Sequence, residues 1–176
     1  MIVVVIIGVL AAIAGPAFSK YLRRARTTEA ITSLERIASG AQIYYYQAGR
    51  TPSGIPMLKR FPASIGRTPK KWCCNFSEKV CDPGEYISPL GQQGPNDRDW
   101  NSPTWTALSF SLGQAHYYNY RFNSSGKDKN ARFVARAIGD LDCDGIRATY
   151  TRRGAATTEG GVNIGVTVVD SNYEIE

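Results

Sequence analysis

Four cysteines are the residues of this 176-residue chain with the clearest covalent chemistry. Cys73, Cys74, Cys81 and Cys143 form an even set behind an uncharged apolar N-terminus, which indicates an oxidising compartment and two disulfides. A bridge between the adjacent Cys73 and Cys74 would be strained. We therefore expect one of them to pair with Cys81 and the other with Cys143. The alternative is a set of free, buried thiols.

An acidic turn is the candidate metal site of the sequence. Asp140, Asp142 and Asp144 alternate and Gly145 follows, which is how a Ca²⁺ loop of the EF-hand type begins. The position that would complete an EF-hand holds Thr151 in place of Glu, and the flanking residues are typical of strands. A full EF-hand is therefore excluded. Two alternatives stay open, a Ca²⁺ site of another kind and a plain hairpin turn.

A proline-rich stretch, residues 50–71, is basic throughout and contains no acidic residue. With the net charge of +6, it favours an acidic partner such as DNA, a surface polysaccharide or acidic lipid. The alternative is a solvated loop without a ligand. The candidate basic surface patch consists of Lys59, Arg60, Arg67, Lys70 and Lys71.

The side chains typical of enzymes are not grouped in this sequence. Its single histidine, His116, lies in a predicted strand among tyrosines and has no identifiable acid partner. There is no G-x-S-x-G motif, no phosphate-binding loop and no Cys/His spacing of the zinc type. We expect no catalytic residue and no required cofactor, with Ca²⁺ as the candidate ion.

The elements that must position these residues begin with an uncharged apolar segment, residues 1–19, MIVVVIIGVLAAIAGPAFS. It is nearly long enough to span a bilayer core of roughly 30 Å, so we expect a transmembrane or filament-core stem. No basic residue precedes it, which argues against a cleaved secretory signal. Basic residues follow it and would hold the rest of the chain in the cytoplasm, whereas the cysteines indicate export. A basic leader before Met1 would remove this conflict.

A helical pattern continues without a loop through residues 20–48. Apolar residues recur there at three- and four-residue steps, and Gly49 is a plausible helix stop. The pattern predicts one helix to about Tyr46, near 70 Å long at the usual rise of ~1.5 Å per residue. Its second half is amphipathic and needs a partner sheet. The face of Leu34, Ile37 and Ala41 is available to pack against that sheet.

The remainder of the chain predicts an irregular region and then a sheet. Residues 49–104 are rich in Pro and Gly, and we expect a loop region that the disulfides hold. Residues 105–176 are expected to form an antiparallel β-sheet and a C-terminal tail, because period-two stretches alternate with short polar connections. The predicted strands are Trp105–Leu112, Ala115–Phe122, Ala131–Ile138, Ile146–Thr151 and an edge strand Val162–Val169. The predicted fold class is α+β, with the amphipathic half of the helix packed on the sheet.

The run MIVVVIIGVLAAIAGPAFSKYLRRARTTEA resembles the N-terminal region of type IV pilins and type II secretion pseudopilins. Gly8 and Pro16 fall where that family has its helix-weakening Gly and Pro. In that family a basic leader ending in Gly precedes a mature chain that starts Phe-Thr-Leu-Ile-Glu-Leu. Leader, methylated Phe and early glutamate are absent before Met1, and we interpret the start as a trimmed or mis-set reading frame.

The resemblance implies a structural subunit of a type IV pilus or pilus-like filament, serving adhesion, motility, DNA uptake or secretion. Its stem would lie in the inner membrane before assembly and then in the core of a homo-oligomeric helical filament at the cell surface. Local melting between Gly8 and Pro16 would let subunits repack, and the alternative there is a tolerated kink. The rival function is a single-pass, membrane-anchored periplasmic binding domain that uses the basic loop and the acidic turn.

Overall fold

A computed structural model of the chain describes residues 2–47, 58–83 and 100–169, without the side chains of Pro16, Ser19 and Lys20. Gly49, the predicted helix stop, lies outside the described residues, as do parts of the predicted loop region 49–104.

One long helix, α1 (Ile2–Gln47, 46 residues), leads the chain, as the sequence predicts. Its buried residues begin only at Ala30 and recur at helical spacing through Leu34, Ile37 and Ala41. The predicted helix face is therefore confirmed as the face that packs on the sheet. No helix among the described residues combines the length and the apolar character that a membrane crossing requires.

A six-stranded antiparallel sheet covers the buried face of α1. The strands run in the order β1-β2-β3-β4-β5, and β6 also pairs with β4. Every pairing is antiparallel, which confirms the predicted α+β class. The strands are β1 (Ile65–Thr68), β2 (Tyr118–Ser125), β3 (Arg132–Gly139), β4 (Ala148–Ala156), β5 (Val162–Ile164) and β6 (Val168–Val169).

The inner face of the sheet, the face toward α1, carries the aromatic core. Tyr118, Tyr120 and Phe122 are fully buried there, as the period-two pattern of β2 predicts. The rings of Phe122 and Phe133 stack at 5.4 Å between centroids. These rings fill the space between helix and sheet, so the core lies in the C-terminal half of α1 and not along its whole length.

The predicted strand Trp105–Leu112 is wrong, because its first residues belong to a short helix, α2 (Pro103–Ala107). Ser102 caps α2 by accepting from the Trp105 N–H, and Pro103 stands in the first turn. Trp105 and Leu108 are both buried, three residues apart on one helix face. Residues three apart share one face of a helix but lie on opposite faces of a strand, so this spacing agrees with the helix that the Ser102 cap starts.

The region 49–104 is not wholly irregular, since it supplies the edge strand β1. A register shift between Ile65 and Thr68 interrupts the pairing of β1 with β2. The sequence of β1, Ile-Gly-Arg-Thr, is too short and too polar to predict a strand by alternation. β1 is a strand because it pairs with the otherwise free edge of the long strand β2.

Candidate assembly interface and the residues around it

The described side chains of the first half of α1, residues 2–22, are exposed, and this segment, which we call the stem, forms the candidate assembly interface. Its large apolar side chains are exposed: Ile2 is 77% exposed, Leu10 is 62% and Ile13 is 66%. Contiguous exposed apolar surface of this extent marks a site of protein or membrane contact in a soluble or peripheral domain. The stem therefore presents a cylinder of apolar side chains that the described part of the subunit leaves uncovered.

Gly8 and Pro16 lie inside this stem. α1 is continuous across both positions, and nothing lies within 4 Å of where a Cβ on Gly8 would be. Gly8 is therefore not required by packing within the subunit. The predicted melting of the helix between these two residues stays a prediction, since it concerns the assembled state.

The junction between stem and sheet is polar. Arg23 forms an ion pair with Asp142 at 2.8 Å, and the Arg26 guanidinium lies 4.4 Å from the centre of the Tyr117 ring. Thr27 accepts a hydrogen bond from the Tyr150 hydroxyl at 3.4 Å. These contacts lie where α1 first meets the sheet, so they set the angle at which the stem leaves the globular part.

Glu29 is a second polar contact of this junction, and sequence reasoning missed its role. Its carboxylate accepts from the Tyr117 N–H and from the Tyr120 hydroxyl, each at 3.2 Å. Burial raises the pKa of Glu29, and the hydrogen bonds from Tyr117 and Tyr120 oppose part of that rise. A signal existed in the sequence, because Glu29 precedes the buried Ala30 and Leu34 on the face that becomes the core.

The cysteines form two disulfides, Cys73–Cys81 and Cys74–Cys143. Each of the adjacent cysteines pairs with a different partner, as the sequence predicts, and no cysteine is free. Cys73 and Cys81 form a small buried cluster with Phe76. This cluster covers one end of the outer face of the sheet, the face away from α1, where Asn119 donates to the backbone oxygens of Pro69 and Lys71.

The structure divides the predicted basic patch between two places. Lys59 exchanges hydrogen bonds with Asp128 beyond the Ser125 end of β2, at 2.7 and 2.8 Å, and Arg60 follows it. The carbonyl of Lys71 lies instead at the Asn119 end of β2. Six residues of strand separate these ends, roughly 20 Å at the usual rise. Lys59 and Arg60 therefore do not join Arg67, Lys70 and Lys71 in one site.

The second group is organised by Trp72. The guanidinium carbon of Arg67 lies 3.7 Å from the centre of the Trp72 ring, and that of Arg147 lies 4.1 Å from it. Arg67 also donates to the carbonyl of Lys70. Burial, and then repulsion from Arg147, lower the pKa of Arg67. Lys71 lies over the Phe76 ring at 4.1 Å, so aromatic rings hold these cations in place of carboxylates.

The acidic turn brings its three carboxylates together. One oxygen from each of Asp140, Asp142 and Asp144 lies within 4.8 Å of the others. Each carboxylate already has a protein partner, however. Asp142 pairs with Arg23, Asp140 accepts from the Gly145 N–H at 3.0 Å, and Asp144 accepts from the Ile146 N–H at 2.7 Å. The donor set suits Ca²⁺ chemically, but Arg23 supplies the positive charge in this structure.

Two curated proteins resemble the chain over part of its length. The type IV major pilin protein PilE1 of Neisseria gonorrhoeae is 42% identical over 64 residues, which are 36% of this chain and 30% of that protein. A fimbrial protein of Neisseria meningitidis serogroup A is 45% identical over 53 residues, which are 30% of this chain and 31% of that protein. The matched stretch spans about a third of the length of either relative.

Family models and solved structures add nothing to this likeness. No family model matches the chain, and no solved structure matches it. The evidence for kinship is therefore the partial identity to the two pilus proteins and the architecture itself, a long N-terminal helix on an antiparallel sheet. On both grounds, the chain is similar to type IV pilins.

Proposed function

We propose that this protein is a structural subunit of a type IV pilus or pilus-like filament at the cell surface, and that its stem forms the filament core. The observation that carries the proposal is the exposure of the apolar stem beside a globular part that has its own buried core. The partial likeness to a major pilin and a fimbrial protein supports the same role.

The physical argument for assembly is the hydrophobic effect. Burying one Val, Leu or Ile side chain contributes ~1.5–3 kcal/mol, and the stem exposes many such residues. Copies of the stem packed side by side bury these residues against one another. The sheet lies at the other end of α1, so it is left outside such a core. Contacts between unlike surfaces of successive copies repeat without closing, which generates a helical filament.

Before assembly, the same apolar residues need lipid. We propose that the stem then lies in the inner membrane with the globular part on the exported side, where the two disulfides can form and persist. The role is structural and requires no chemistry of the chain itself. Adhesion, motility, DNA uptake and secretion are all compatible with a filament of this kind.

Charged substitutions in the stem test the proposal. We expect Leu10→Asp and Ile13→Asp to abolish filaments, because an unpaired carboxylate in an apolar core costs several kcal/mol. Val166→Asp is the matched control, since Val166 is 79% exposed on the globular part. The measurement is filament yield in sheared cell-surface material, with subunit level in whole cells as reference. Normal filament yield from the stem variants would refute the proposal.

The rival role of an anchored binding domain predicts a different result. Its stem variants would change membrane retention and leave ligand binding by the globular part intact. The structure divides the residues that this role would use, since Lys59 and Arg60 lie apart from Arg67, and Asp142 of the acidic turn is engaged with Arg23. We therefore favour the filament subunit.

A further inference from the structure

The outer face of the sheet is strongly basic, and sequence analysis did not identify it. The six strands contain no Asp or Glu. Alternation with the buried residues places four arginines on the outer face, and none of them has an ion-pair partner among the described residues. These arginines, which we call the arginine face, are Arg121, Arg132, Arg136 and Arg153.

Strand register brings these arginines close together. Arg121 lies directly opposite Arg136, and Arg153 lies opposite Val134, between the rows that hold Arg136 and Arg132. Residues directly opposite in an antiparallel pair have Cβ atoms about 4.5–5.5 Å apart, and like charges there are destabilising. An arrangement of cations that costs folding stability and has no carboxylate nearby is typical of a surface that binds an anion.

A shallow cleft lies within the arginine face. Its volume is ≈ 320 Å³, and Arg132 and Arg153 flank it. Its floor is apolar, built from the side chains of Val134 and Ala155 and the backbone of Gly154, while the exposed Asn163 lies beside it on β5. An apolar floor with a few convergent polar groups is the usual form of a small-molecule site.

The shape and chemistry of the cleft favour one class of polyanion, acidic sugars, over nucleic acid. A sugar ring presents an apolar face of C–H groups for such a floor, and a uronic acid adds a carboxylate that a guanidinium binds in bidentate geometry. Hydroxyl groups would meet the Asn163 amide. Nucleic acid offers phosphates to the arginines but needs aromatic rings to stack unpaired bases, and the aromatic residues of β2 and β3 lie on the inner face.

We propose that the arginine face binds an acidic polysaccharide, with one uronate ring in the cleft between Arg132 and Arg153. Arg121 and Arg136 extend the site to neighbouring acid groups along the same chain. The cleft of this site contains no residue of the predicted basic patch of residues 59–71. It goes beyond the filament role and does not depend on it, because the outer face points away from α1.

The test is a titration of the full chain, kept in a nonionic detergent, with an oligogalacturonate of six residues. The neutral methyl ester of the same oligomer is the ligand control. We expect the acid to bind and the ester not to bind. Arg132→Gln and Arg153→Gln should each weaken binding roughly tenfold, because each removes a charge-assisted hydrogen bond to a carboxylate.

Two further variants distinguish binding in the cleft from a general attraction to positive charge. Ala155→Phe fills the cleft without changing charge, and Ala155 is exposed, so the fold should tolerate it. We expect it to abolish binding of the oligomer. Arg24→Gln removes the same charge from an exposed position on α1 and should leave binding unchanged. Far-UV circular dichroism and the melting temperature confirm that each variant is folded.

Several results would overturn the proposal. They are an absence of binding, equal binding of the methyl ester, or an equal loss in Arg24→Gln. A DNA duplex of 20 base pairs is the competing ligand. If the duplex binds more tightly than the oligomer, and if its binding is unchanged in Ala155→Phe, the arginine face is a nucleic-acid surface and the cleft is not a sugar site.

Discussion

At the scale of single residues, Glu29 shows how burial changes the chemistry of an ordinary carboxyl group. It is held at the start of the packed part of α1 by hydrogen bonds from Tyr117 and Tyr120. Those bonds favour the charged form, whereas burial disfavours it, and burial has the larger effect on the pKa of Glu29. The contact therefore joins helix to sheet at a cost that depends on pH.

Glu29 should make stability decrease as pH rises. Because the pKa of Glu29 is raised above 4.5 in the folded state, the folded chain holds the proton through a pH range in which the unfolded chain has lost it. The contribution of Glu29 to stability is therefore largest below about pH 4.5 and falls as pH rises from there through the raised pKa. The fall ends above the raised pKa, where Glu29 is charged in the folded and the unfolded chain alike.

We expect Glu29→Gln to remove this component of the pH dependence. The free energy of unfolding, measured by denaturant titration between pH 4 and pH 8, should fall less with pH in Glu29→Gln than in the parent chain. Glu35→Gln is the control, because Glu35 lies on the same helix with its side chain 63% exposed. Parallel curves for the parent chain and Glu29→Gln would contradict the assignment.

At the scale of elements, the acidic turn between β3 and β4 holds three converging carboxylates and meets α1 through the Arg23–Asp142 ion pair. Cys143 and Gly145 have positive φ angles of 63° and 98°, which curl the turn so that the aspartates converge. The Cys74–Cys143 bridge fixes the turn to the segment that covers the outer face. The turn therefore connects three parts of the molecule through Arg23, the disulfide and the strands.

We propose that Ca²⁺ competes with Arg23 for this turn. Removing the guanidinium leaves three converging carboxylates without their cation, so we expect Ca²⁺ to raise the melting temperature of Arg23→Gln by several degrees and that of the parent chain by less. The effect should disappear in Asp142→Ala. The measurement is thermal unfolding with millimolar Ca²⁺ and with a chelator. Melting that chelation leaves unchanged in both chains would count against a calcium site.

The elements also show which parts of the fold are readable from sequence. The helix to Gln47 and the strands β2, β3 and β4 follow from apolar spacing, because burial on one face imposes a period of 3.6 or 2. The short elements do not follow from apolar spacing. α2 depends on the Ser102 cap, and β1 depends on pairing with β2, so neither is encoded by a local apolar pattern.

At the scale of the whole molecule, the stem and the globular part are energetically separate. The described apolar side chains of residues 2–18 are exposed, whereas buried contacts with the sheet begin near Ala30. At Gly40, α1 lies so close to Leu108 that a Cβ on residue 40 would be 2.1 Å from the Leu108 carbonyl oxygen. The subunit therefore consists of a folded part that carries its own core and an extension that needs partners.

We expect a chain that lacks residues 1–19 to fold with both disulfides and to need no detergent. Its melting temperature should lie within about 4 °C of the full chain, because the deletion removes little buried surface and ~1 kcal/mol shifts a domain of this size by a few degrees. A chain that lacks residues 1–30 is the control. It loses Arg23, Glu29 and the buried Ala30, and it should melt far lower.

Differential scanning calorimetry on both truncated chains is the measurement. A fall of more than roughly 10 °C in the chain that lacks residues 1–19 would show that the stem supports the fold. The same chain should form no filaments, which connects this test to the role of the stem in assembly.

The sequence by itself determined the order of parts: an apolar stem, an amphipathic helix, a cysteine-bearing region and an antiparallel sheet. It did so because apolar periodicity, charge distribution and cysteine number are local properties of the chain. Only the tertiary structure decided which cysteines pair, that Arg23 reaches Asp142, and that the four arginines converge on the outer face. These depend on strand register and on distances between residues far apart in sequence, and local pattern carries no information about either.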